Sequence, residues 1–353
     1  MNFKYSSLPW NIKFGSGSLN SLPNELDILG KKKALILTTP EQSEIGQKVL
    51  EMLETNCVGI FDQAQMHVPI ETLNQAKEIA LSLEADCTVS IGGGSTIGLG
   101  KALAVKYWID NIVIPTSYSG SEMTNIWAIT EDNRKITFRS SDAVPNLTIY
   151  DPELTLTMPI EFTAASAMNA LAQAVVNVAT DKPNPIVSSM AIQAISSIAE
   201  GLPLAINNPQ SIDARTKLLY GSSMAGASLG TGSTGLHHRL CHTFGGSFNT
   251  PHAETHSILL SHSVAFNSSA TEKGTKQVAK AMNVDHAADG IFNLLNSLKI
   301  PNSLSEIGIK ESDLDKAVDI SLETPIDNPK PVNKAKLRRL LQNAYLGVSP
   351  EKL

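Results

Sequence analysis

Cysteine is scarce in this chain. Its 353 residues include three, Cys57, Cys87 and Cys241. None forms a CxxC pair and the count is odd, which excludes a disulfide framework and fits a reducing compartment. Aromatic residues make up 5% and charged residues 18%, against 42% hydrophobic. That balance excludes a disordered chain and suits a globular one long enough for two domains. Basic charge is thinly spread. The net charge is -6, and the densest run, Lys31-Lys32-Lys33, leads straight into an apolar strand pattern. A nucleic-acid partner is therefore not expected. No apolar run approaches the roughly 20 residues of a bilayer span. The opening Met1-Asn2-Phe3-Lys4-Tyr5 has no basic stretch followed by an apolar one, so a cytoplasmic location without membrane contact is expected.

Two rhythms run along the chain. In the first half, short β-rich runs alternate with helical patterns. Strands are predicted at 34–38, 58–61, 88–91 and 112–115, with helices at 41–53, 70–83 and 96–107 between them. Single helices between strands imply right-handed crossovers and a mainly parallel sheet, which binds ligands at its carboxyl edge. After Asp151-Pro152-Glu153 the pattern turns helical, with helices predicted at 164–180, 184–200, 214–229, 234–246 and 256–267. The expected architecture is an α/β domain over residues 1–157 and an all-helical domain over 158–353.

The third predicted strand runs into Gly92-Gly93-Gly94-Ser95-Thr96-Ile97-Gly98. Glycines permit a tight turn and close approach of backbone N–H groups to an anion, and the next helix offers its positive end. Phosphate binding by Gly93, Gly94 and Ser95 is favoured over a purely structural turn, although the loop matches neither GxGxxG nor a Walker A motif. A second loop, Pro115-Thr116-Ser117-Tyr118-Ser119-Gly120-Ser121-Glu122, sets hydroxyls just past a strand end. Cofactor contact and simple helix capping are equally open to it.

Six of the eight histidines lie between residues 237 and 262. His238 and His242, four apart, share a helix face, and His252 follows ten residues later. These three are read as a functional pocket, since clustered imidazoles suit metal ligation or proton transfer. His237 is rotated about 100° from His238 and is expected to face elsewhere. His256 and His262 are read as ordinary core or surface residues. A second same-face pair, Asn169 and Gln173, holds two neutral amides, which are poor ligands for a divalent transition metal.

Taken together, the glycine loop, Pro115 to Glu122, Tyr150-Asp151-Pro152-Glu153-Leu154, the Asn169 helix, the His238–His252 block and Asn328-Pro329-Lys330-Pro331 resemble the iron-containing alcohol dehydrogenase superfamily in content and order. The resemblance implies an N-terminal dinucleotide-binding domain, a helical C-terminal domain and hydride transfer in a cleft between them. Metal-bearing members hold the metal at positions that fall here on Asn169, Gln173, His238 and His252, and they usually carry an acid where this chain has Gly98. Both departures resemble the metal-free branch, the maleylacetate reductases. So do Gly235-Leu236-His237-His238-Arg239-Leu240-Cys241-His242 and Met66-His67-Val68-Pro69. That branch usually has His and Glu where this chain has Gln173 and Val176.

The resemblance implies NADH or NADPH as cofactor, no metal, a dicarboxylate substrate and a homodimer. His238, His242 and His252 are the expected catalytic residues. Asn169, Gln173 and Arg239 are the expected substrate contacts. Thr39, Gly93, Gly94, Ser95, Thr116, Ser117, Ser121 and Lys135 are the expected cofactor contacts. A metal-dependent alcohol or aldehyde reductase and a non-catalytic nucleotide-binding paralogue are the alternatives.

Overall fold

The computed structural model describes residues 2–132, 134–232 and 234–353. It resolves into two compact units, Ser7–Met158 with Gln210–Leu219, and Met1–Ser6 with Pro159–Pro209 and Tyr220–Leu353. A single cut after residue 157 thus leaves the stretch 210–219 and the first residues on the other side.

The first unit contains β1 (Ile12–Phe14), α1 (Leu22–Ile28), β2 (Ala34–Leu37), α2 (Ser43–Leu53), β3 (Cys57–Phe61), α3 (Ile70–Ser82), β4 (Cys87–Gly92), α4 (Gly94–Tyr107), β5 (Asp110–Pro115), the hairpin β6 (Ile126–Glu131) and β7 (Arg134–Arg139), and β8 (Leu147–Tyr150). Six strands form one sheet in the order β1-β8-β5-β4-β2-β3, and every pairing is parallel. Side chains alternate across a strand, so β2 feeds two cores. Leu35 and Leu37 pack with Leu73 of α3 and with Leu99 and Leu103 of α4. Ala34 and Ile36 pack with Leu22 and Leu26 of α1 and with Val49 and Leu53 of α2. Burial on both faces is why β2 reads as a continuous apolar run.

The chain runs outward from β2 to β3, then returns to place β4 on the other side of β2 and continues to β5. The order reverses between β2 and β4. That point, at the carboxyl edge, is where open parallel sheets bind ligands. The glycine loop therefore belongs after β4, although it follows the third strand predicted from sequence.

Helix α4 lies tightly on the sheet. A Cβ at Gly100 would sit 2.2 Å from Ser90 Oγ and 2.6 Å from Asn111 Oδ1. Those two atoms are themselves bonded at 2.8 Å. Gly100→Ala is expected to destabilise the protein by about 1–3 kcal/mol, the scale of overpacking a core, as read from urea unfolding midpoints.

The second unit is helical: α5 (Ile160–Val178), α6 (Pro185–Asn207), α7 (Ile212–Thr231, whose first turns belong to the other unit), α8 (Leu236–Phe248), α9 (His252–Asn267), α10 (Glu272–Ala281), α11 (Ala287–Ser297), α12 (Asp313–Leu322) and α13 (Lys334–Leu346). Helix α5 is buried along nearly its whole length, and it packs on α6 and α9. Helix α6 is long and apolar enough, by length and composition, to cross a bilayer. Ser188-Ser189, Gln193 and Ser196-Ser197 break the stretch into short apolar runs, so a reading of continuous runs passes over it. Val187, Ala191, Ala194, Ile195, Ile198 and Leu202 of α6 are buried.

Candidate active site

At the carboxyl edge of the sheet, α4 begins at Gly94, two residues earlier than the periodicity implied. Gly93 caps it with no side-chain bond. The first N–H groups are thus left for another acceptor. Gly92 has φ +153°, and a Cβ there would meet Thr96 Oγ1 at 2.5 Å and Gln42 Oε1 at 2.6 Å. Only glycine lets the loop close this tightly. Next door, Thr116 N–H donates to Gly92 O at 3.0 Å. Gln42 Nε2 donates to Thr116 Oγ1 at 2.6 Å. The structure therefore gathers Gly93, Gly94, Ser95, Thr116 and Ser117 around the switch point, with Thr39 at the end of β2. Thr116 and Ser117 are buried; Gly93, Ser95 and Thr39 are half-buried. Hydrogen bonds from its own backbone N–H and then from the Thr39 side chain hold the exposed Glu41 carboxyl below the usual range. Lys135 stands on β7, with Nζ 3.3 Å from His67 Nδ1.

Sequence reasoning missed what braces the second loop. Lys101 of α4 is fully buried, and its Nζ donates to Ser121 O (2.8 Å), Thr124 O (2.8 Å) and Thr124 Oγ1 (3.1 Å). Burial pushes its pKa down to about 7, while nearby Glu122 pulls it up. Burial raises the Glu122 carboxyl, which accepts a bond from Tyr150 Oη at 2.8 Å. Tyr118 is fully buried, and its hydroxyl accepts from Arg215 Nη1 at 3.2 Å. A lysine on an apolar helix stripe, four residues after Ile97, was the available signal. Lys101→Met removes the Nζ donor from Thr124 O and one of three donors from Ser121 O. The expected loss is about 2–4 kcal/mol, measured by urea denaturation, with weaker nucleotide binding as the loop relaxes.

In the helical unit, α8 and α9 pack together and bring five imidazoles into one cluster. His238 lies 6.3 Å from His242, 5.4 Å from His237 and 5.2 Å from His256, ring centre to ring centre. His252 stacks at a tilt on His256 at 4.5 Å. The predicted trio is thus joined by two more rings. His237 does not face elsewhere: its Nε2 is 3.0 Å from His256 Nδ1. His256 is 1% exposed and central to the cluster. His262 is buried away from it, beside Phe292.

Burial divides the cluster. His237, His238 and His256 are buried, whereas His242 and His252 are exposed. Burial pushes His237 down to about 3, with the Leu259 carbonyl opposing. It holds His238 and His256 well below their ordinary value, and charge on neighbouring imidazoles adds to the effect. The buried three are therefore neutral near pH 7 and act as hydrogen-bond donors and acceptors. Asn169 and Gln173 lie on the buried face of α5, each 6% exposed. Asn169 Oδ1 and His238 Nδ1 are buried with no hydrogen-bond partner among the described residues. Water or a ligand can complete such groups. Arg239 is half-buried beside His238.

Known proteins agree with this architecture. Residues 9–152 match the iron-containing alcohol dehydrogenase family, and residues 163–345 match the C-terminal part of the Fe-containing alcohol dehydrogenase family. The chain is 42% identical to a maleylacetate reductase of Burkholderia cepacia over 96% of both chains. It is 40% identical to a maleylacetate reductase of Sphingobium indicum over 99% of both. A maleylacetate reductase structure from Agrobacterium tumefaciens superposes with a TM-score of 0.96 at 39% identity, covering 99% of this chain and 100% of that one. A structure of a putative alcohol dehydrogenase from Ralstonia eutropha JMP134 gives 0.97 at 40% identity, with the same coverage. The chain is an oxidoreductase belonging to the iron-containing alcohol dehydrogenase family.

Proposed function

We propose that this chain reduces maleylacetate to 3-oxoadipate with NADH or NADPH. The observation that carries the reading is the imidazole cluster of α8 and α9, in a chain about 40% identical over its length to maleylacetate reductases. Bound nicotinamide supplies a hydride to the alkene carbon remote from the ketone. Negative charge then develops on the ketone oxygen, and the carbon beside it takes a proton. Neutral His238 donates a hydrogen bond to that oxygen, a charge-stabilising role open to an uncharged ring. Exposed His242 and His252 exchange protons with solvent and deliver the one required. Arg239 pairs with a substrate carboxylate, while Asn169 and Gln173 hydrogen-bond the substrate. Gly93, Gly94 and Ser95 hold the diphosphate at the start of α4. Thr39, Thr116, Ser117, Ser121 and Lys135 complete the nucleotide contacts.

The family's metal positions fall on Asn169, Gln173, His238 and His252. That set has two neutral amides and no carboxylate, so it does not fit a tight divalent iron site. The reading is tested by following NAD(P)H oxidation at 340 nm with maleylacetate, with and without EDTA. Turnover untouched by EDTA is expected. Turnover abolished by EDTA and restored by Fe²⁺ or Zn²⁺ favours the metal-dependent alcohol or aldehyde reductase instead.

No acid stands at Thr38 or Thr39, where one would repel a 2′-phosphate. NADPH is expected to work alongside NADH, with kcat/KM values differing by less than about 10³-fold, or roughly 4 kcal/mol. A larger NADH preference in that comparison contradicts the assignment.

A further inference from the structure

We propose that His237, Cys241 and His256 form a site for one soft monovalent d¹⁰ cation, Cu(I) or Ag(I), separate from the positions that hold iron in the family. His237 and Cys241 are four apart and share one face of α8, and His256 comes from α9. Cys241 Sγ is 3.7 Å from His237 Nε2, which is 3.0 Å from His256 Nδ1. The three donor atoms lie within 4.8 Å of one another. Ligand atoms about 2.0–2.3 Å from a shared metal have spacings close to these. All three side chains are at most 2% exposed. A cavity lined by Thr180, Leu236, His237, Ser263 and Asn267 borders the site at His237.

The choice of metal follows from charge and coordination number. Thiolate and imidazole are soft to borderline donors that favour Cu(I). The set contains one ionisable acid, the Cys241 thiol, and no carboxylate. When Cu(I) binds, the Sγ–H bond breaks, the Sγ–Cu bond forms and the proton leaves to solvent. No electron moves, and the filled site is neutral. Zn²⁺ bound in the same way leaves one buried positive charge and lacks a fourth protein ligand, which structural zinc sites nearly always have. Occupancy would lock His237 and His256, which flank His238 and His252, and so slow turnover.

The test is an anaerobic titration of the metal-free protein against the coloured Cu(I) complex of bathocuproine disulfonate. One equivalent is expected to transfer, with one sulfur and two nitrogen neighbours in the copper X-ray absorption spectrum. Cys241→Ser and His256→Gln should each weaken binding by more than about 100-fold, beyond what changes outside the ligand shell produce. Cys57→Ser should leave it unchanged, since Cys57 lies on β3 in the other unit. Far-ultraviolet circular dichroism checks the fold of each variant. Should a variant fail to fold, the wild-type X-ray absorption spectrum decides by itself. Sulfur-only ligation, equal transfer to Cys241→Ser, or Zn²⁺ binding as tightly as Cu(I) overturns the proposal.

Discussion

His242→Ala lowers kcat for maleylacetate reduction by about 10²-fold or more, the scale of a lost general acid. Exposure separates this ring from its neighbour. Proton delivery needs a ring that can be charged in one step and neutral in the next. His238 sits in the cluster's interior, where burial and its neighbours hold it neutral. His242 is on the same face of α8 but reaches water. His238→Gln keeps a hydrogen-bond donor of similar reach and should lose less than His238→Ala, whereas His242→Gln cannot transfer a proton and should match His242→Ala. The two series, followed at 340 nm, separate charge stabilisation from proton transfer. A His242→Ala enzyme within threefold of wild type, with His252→Ala equally active, removes both rings from the acid role.

Much of the α/β unit is legible in its sequence because the buried strands β2, β4 and β5 read as Ala-Leu-Ile-Leu, as β-branched and apolar residues broken only by small hydroxyls, and as Ile-Val-Ile after a polar start. β1 and β8 are not. Ile12–Phe14 is three residues long, and Leu147–Tyr150 acquires its place only by pairing with β1 and β5. Those are long-range pairings that local pattern does not encode. In the hairpin, all of β7 is exposed, and its apolar alternation is only Ile136 and Phe138, shorter than the roughly four to eight residues that signal a strand. The histidine pocket was half legible. The four-residue spacing that paired His238 with His242 also pairs His252 with His256, and His237 with Cys241. Which of these stripes face one another depends on how α9 folds back on α8. The bracing of Lys101 and Arg215 depends likewise on carbonyls and hydroxyls distant in sequence.

Acid should begin to destabilise this protein in its metal-free form well above the pH at which its carboxylates titrate. An unfolded imidazole titrates near pH 6.5. Burial holds His237 at about 3 and His262 at about 4, and it keeps His238 and His256 well below their ordinary value. Their native pKa values are depressed, so the associated stability is complete above pH 6.5. It is lost as pH falls toward the folded values, because the unfolded chain takes up protons that the native state refuses. Each such ring contributes a slope of about 1.4 kcal/mol per pH unit in that window. Each buried ring that stays neutral in the native state adds to that slope. Against an ordinary stability of about 5–15 kcal/mol, a loss on that scale is large. Urea unfolding midpoints at pH 7, 6, 5.5 and 5 should fall with increasing steepness. His262→Leu, outside the cluster and beside Phe292, should remove about one proton from the slope and leave the cluster's share intact. A midpoint that stays level from pH 6.5 to 5 would mean that the imidazoles are protonated in the native protein. The division into neutral buried rings and exposed proton carriers would then fail.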